Sequence, residues 1–237
     1  MVISWLPFLS AAVSFVFAAL VFRRYARRRG LHLLLWGIGL VMYGIGSATE
    51  AYHTAFGWQP LAFRLWYLFG AMLVAAWLGQ GTVYLLAPKS WAHAFMALLA
   101  LSSIYGAARV FSAQLDPSLL PAGELSGRAI VTPGVRILTP FFNTYGSITL
   151  IGGAIYSAWI FWRKRILPHR AIGNVLIAVG AMAPAIGGLF SRFGFTGILY
   201  VSELVGAVLM FLGFLRATTP FKEPAPASQP SSIPHRE

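Results

Sequence analysis

The chain reads as an all-α membrane protein: a bundle of seven transmembrane helices, with its N-terminus outside and its C-terminus in the cytoplasm. Three observations predict this. Seven stretches are apolar over lengths that can cross a bilayer core, a crossing that takes about 20 residues of helix. Of the 237 residues, 58% are hydrophobic and only 10% charged, whereas a soluble domain carries about a quarter charged residues. Finally, Lys and Arg fall alternately in rich and poor connections along the chain, and basic side chains set orientation by staying on the cytoplasmic side.

The spans lie at 3–22, 31–49, 65–87, 91–108, 141–162, 171–190 and 195–215. The first is read as a retained helix. Its basic cluster, Arg23, Arg24, Arg27, Arg28 and Arg29, follows the apolar run instead of preceding it, the reverse of a signal peptide. That cluster, Lys89, the group Arg163, Lys164, Arg165 and Arg170, and the group Arg216, Lys222 and Arg236 mark one side of the membrane as basic. The opposite connections hold only Arg64, Arg109, Arg128, Arg136 and Arg192. The richer side is cytoplasmic, so an odd number of spans leaves the N-terminus outside.

Residues 1–217 therefore form the membrane domain, and 218–237 a cytoplasmic tail whose Pro and Ser content predicts disorder. The longest outer connection, 109–140, is a lid or a loose loop. Thr139 followed by Pro140 fits an N-cap and a first helical position, which predicts that the fifth helix begins there. The first three spans and the last three also look alike. Each opens into a basic hairpin, and Gly70-Ala71 with Leu78-Gly79 matches Gly206-Ala207 with Leu212-Gly213. That pattern predicts a 3+1+3 plan of parallel repeats, with the fourth helix as a linker. Convergence of packed glycines and basic loops is the competing explanation.

Candidate chemistry lies in the polar groups at membrane depth. Glu203 is the one formally charged residue within a span, and an intramembrane carboxyl is expensive to keep unless it is protonated, paired or facing a cavity. Glu50, His53, Arg64, Asn143 and Arg192 map with it to the outer half, so together they are candidates to line one outward-facing cavity. Interfacial side chains that reach up to water are the plainer reading for Glu50, His53, Arg64 and Arg192. Gln80 and Tyr84, four residues apart, are expected to bridge helices by hydrogen bonds. His32, His93 and His169 sit near cytoplasmic helix ends with no second histidine at helical spacing, which argues against a haem or metal site.

The architecture resembles that of microbial rhodopsins. A retinal Schiff base needs a lysine in the last helix, however, and the lysines here are Lys89, Lys164 and Lys222, all at cytoplasmic edges. The plan also resembles the seven-helix membrane input regions of bacterial sensor proteins, though the tail is too short for an output domain. There is no cysteine, and no motif for a metallohydrolase or a serine triad is present, so an enzyme ranks last and no cofactor is expected. Binding or transport of a small molecule through the outer cavity ranks first, and a membrane sensor that needs a protein partner second. The net charge of +12 falls in short clusters beside apolar runs, so anionic lipid at the cytoplasmic face, not nucleic acid, is the expected partner.

Overall fold

The computed structural model describes residues 5–120, 125–165, 167–192 and 197–218, without the side chains of Ser191 and Arg192. The expected disorder of the tail falls outside this range beyond Thr218. The described residues form an all-helical bundle of seven long helices: α1 (Leu6–Arg28), α2 (Leu31–Phe56), α3 (Pro60–Leu86), α4 (Lys89–Phe111), α5 (Val135–Arg163), α6 (Pro168–Arg192) and α7 (Gly197–Thr218). Among them, six are long and apolar enough to cross a membrane, all but α5. The exception has a physical cause. Asn143, Thr144, Tyr145, Ser147 and Thr149 interrupt the apolar run of α5, and part of this stripe faces a cavity instead of lipid.

Helix ends depart from the expected spans because capping, not hydropathy, sets them. α2 runs to Phe56, beyond residue 49, and stops where Gly57 takes a φ of 83° and its N–H caps the His53 carbonyl at 2.8 Å, a positive-φ stop that glycine permits. α3 begins at Pro60, five residues before the expected start, behind Gln59, whose side chain accepts from the Ala62 N–H. Glu50 and His53 thereby become helical. α5 corrects the expectation more sharply: it starts at Val135 behind Gly134, and Pro140 is internal. Pro140 lines the cavity, and without an N–H it leaves the Arg136 carbonyl lacking its i+4 donor in the helix. Thr139 caps nothing; its hydroxyl meets that of Tyr67 at 2.8 Å.

Within α3, residues Trp66–Leu73 form a π-helical stretch. Such turns widen the helix and disturb the regular ladder. The Asn143 amide donates to the Ala71 carbonyl inside this stretch at 3.0 Å, giving the widened ladder an external partner. Helices meet most closely through glycine. A methyl on Gly46 would lie 2.7 Å from the Gly70 Cα, joining α2 to α3, and one on Gly206 would lie 2.6 Å from the Gly180 carbonyl, joining α6 to α7. Contact at backbone distance is the means by which membrane helices gain dispersion energy without a hydrophobic driving force.

Two apolar clusters result. One gathers Phe63, Trp66, Tyr67 and Met72 of α3 with Phe142 of α5 and with Ala113, Leu125, Ala129 and Ile130 of the long connection. That connection is folded onto the bundle. Asp116 N–H bonds to Ala129 O at 2.8 Å and Val131 N–H to Gln114 O at 3.1 Å, around a bridge between Leu115 and Ile130. The other cluster joins Phe17, Leu40, Tyr43, Leu78, Leu150, Met210 and Phe214. By contrast, α4 is peripheral, with Leu98, Leu101 and Ile104 more than half exposed, as suits a face against lipid tails.

Candidate functional site

A cavity of about 1320 Å³ opens among α3, α5, α6 and α7, with Tyr43 of α2 behind it. It exceeds the roughly 300–1,000 Å³ of ordinary small-molecule pockets. Its walls are uneven in chemistry. Val74, Leu78, Ala181, Pro184 and Leu199 are apolar, while Tyr67, Thr139, Asn143, Ser147 and Glu203 supply polar groups, and Arg128 and Arg136 come from the long connection between α4 and α5 and from the first turn of α5. Helix spacing builds this. Asn143, Ser147 and Leu150 recur every three or four residues on one face of α5, and the widened turn of α3 presents Trp66, Tyr67, Gly70 and Ala71 to the same space.

Glu203 stands on the cavity wall, half-buried. Its carboxyl neighbours that of Glu50, which is only 2% exposed. Glu50 is held from the other side by Trp66, whose Nε1–H donates to Oε1 at 2.7 Å. The Tyr43 hydroxyl donates to the backbone carbonyl of Glu203 at 2.8 Å. Glu50, Trp66, Tyr43 and Glu203 thus tie α2, α3 and α7 together behind the cavity.

The remaining candidates separate. Asn143 lines the cavity, as Glu203 does. Arg64 does not. Its Nε and a terminal nitrogen donate to the carbonyls of Val110 and Ala113 at 3.3 and 2.8 Å, where a cation offsets the negative end of α4. His53 lies one turn beyond Glu50, away from the cavity lining, and its Nδ1 has no hydrogen-bond partner among the described residues. Arg192 ends α6, and its side chain lies outside the described residues. Gln80 and Tyr84 do not meet each other. The Gln80 amide donates to Ala92 O at 2.8 Å and its carbonyl accepts from the Tyr145 hydroxyl, while the Tyr84 hydroxyl meets His93 Nδ1 at 2.9 Å.

Sequence reasoning passed over Tyr43, Trp66, Tyr67, Arg128 and Arg136. Tyr43 had a legible signal, since it precedes Glu50 by seven residues and so shares its helix face. The arginines had none, because only the fold of the long connection brings them to the cavity. Outside the membrane-spanning helices, Asp116 accepts from the Ser118 N–H and hydroxyl at 2.9 and 2.6 Å, and these bonds hold its carboxyl below the ordinary aspartate range. No protein family, curated protein or solved structure matches this chain.

Proposed function

We propose that the chain is a seven-helix protein of the cell membrane, N-terminus outside, that binds a small polar solute in this cavity and carries it inward. The observation that supports this reading is a large cavity with a carboxyl on its wall, Glu203, backed by the buried Glu50. An intramembrane carboxyl facing a cavity marks a solute, ion or proton path more often than a packing role. Glu203, Tyr67 and Asn143 suit a solute that presents an amino or other hydrogen-bond-donating group. The polar stripe of α5 fits a seventh crossing whose low hydropathy reflects the cavity it lines. A 3+1+3 repeat gains support from matching contacts in the two triplets, Gly46 on Gly70 in the first and Gly180 on Gly206 in the last.

The test is uptake into proteoliposomes of a labelled panel of amines, amino acids and neutral polyols. A solute that accumulates with wild-type protein and fails with Glu203→Gln, while the variant inserts and melts normally, supports the reading. Binding without flux would point instead to a sensor, and a Glu203→Gln variant that binds and transports like wild type would end the role of Glu203.

A further inference from the structure

Deeper in the bundle lies a second space, of about 60 Å³, room for a few water molecules. It is lined mainly by apolar groups, with polar atoms from Trp36, Thr82, Ser157 and Asn174. Leu78 of α3, Leu150 of α5 and Met210 of α7 line both this space and the large cavity. They are 6%, 8% and 5% exposed and belong to one apolar cluster. On α5 the order along one helix face is Asn143 and Ser147 above, Leu150 shared, then Ala154 and Ser157 below. On α7 it is Glu203 above, Met210 shared and Phe214 below; on α3 it is Ala75, then Leu78, then Thr82. At 1.5 Å per residue, Ser147 and Ser157 are about 15 Å apart along the axis, half of the roughly 30 Å hydrocarbon core.

We propose that Leu78, Leu150 and Met210 form an apolar gate, and that the two spaces are the halves of one path for a small polar solute through the bundle. The proposal rests on the reading of the large cavity as a solute site. A narrow ring of hydrocarbon side chains blocks polar solutes by excluding the water that would accompany them. The helices that carry or flank the gate have weakened ladders on its large-cavity side. α3 leaves α-geometry between Trp66 and Leu73, and Pro140 in α5 and Pro184 in α6 each lack an N–H donor. Met210, unbranched and with three rotatable bonds, can swing aside without displacing a helix.

The absence of cysteine from the chain makes single engineered cysteines a clean probe that needs no identified solute. Ser147→Cys reports the upper space and Ser157→Cys the lower, in the full chain in oriented membrane vesicles, with a membrane-impermeant sulfonated maleimide added from either face. Ser147→Cys should react from the cavity face, and Ser157→Cys at least ten-fold more slowly from that face. Adding Leu150→Ala with Met210→Ala should raise the Ser157→Cys rate from the cavity face at least ten-fold. Leu78→Ala alone and Met210→Ala alone should raise it by a smaller factor, and they serve if the double truncation does not fold. The gate is overturned if Ser147→Cys reacts while Ser157→Cys ignores every truncation that folds, or if Ser157→Cys already matches Ser147→Cys from the cavity face without truncation. Failure of Ser147→Cys to react from either face would overturn the solute cavity itself, and the gate with it.

Discussion

Removing the bond between Trp66 and Glu50 should expose how much the buried carboxyl is held by its surroundings. The Trp66 Nε1–H reaches Glu50 Oε1 at 2.7 Å, with the two residues 7% and 2% exposed, so both partners are largely shielded from water. Interhelical hydrogen bonds in membranes are worth about 0.6 kcal/mol on average and about 1.7 at most. A short bond to a carboxyl belongs in the upper part of that range, so we expect a coupling of about 1–1.7 kcal/mol. The perturbation is a double-mutant cycle of Trp66→Phe, Glu50→Leu and both together, read by reversible unfolding in mixed detergent micelles. Each single variant strands a buried partner, and the double variant strands neither, so the double should cost less than the sum of the singles by that coupling. At about 2–4 °C per kcal/mol for a domain of this size, the non-additivity amounts to about 2–7 °C in melting temperature. Strict additivity would show that the bond contributes nothing.

Gly206→Ala should destabilise the fold by about 1–3 kcal/mol through overpacking, because its methyl would sit 2.6 Å from the Gly180 carbonyl; Gly152→Ala, whose methyl would meet nothing within 4 Å among the described residues, is the control and should lose nothing in the same melt. The loop around Asp116 should lose order in acid. Its folded carboxyl titrates below the ordinary value, so the bond from Ser118 holds at and above that value and is lost as pH falls through the depressed one. Amide exchange of Ser118 should accelerate there beyond its intrinsic pH dependence, and Asp116→Asn should remove that step. Reporter fusions after Arg29, Pro88 or Arg165 should read as cytoplasmic and those after Trp58 or Ser126 as external; a cytoplasmic signal at Ser126 would sink the orientation.

Composition and hydropathy alone determined the class of this protein: helical, with long apolar segments in series. They suffice because a bilayer admits so few backbone solutions, and a lipid-facing segment must satisfy every peptide group internally. Glu203 was legible too, since one carboxyl in an apolar run stands out against the cost of keeping it there. Helix ends were less so. Gly57, Gln59 and Pro60 carried the signals that end α2 and start α3, but an apolar window stops at the edge of the oil, not at the cap. Tertiary structure decided the rest. Nothing local distinguishes Arg64, whose charge is spent on the carbonyls ending α4, from Arg136, which faces the cavity. Only the crossing of α2 behind α3 and α7 brings Glu50 to Glu203, and only the stacking of three helix faces puts Leu78, Leu150 and Met210 between two spaces. Period and hydropathy describe each helix against its solvent, whereas a cavity is defined by which faces of different helices turn towards one another, and that depends on contacts between residues far apart in the chain.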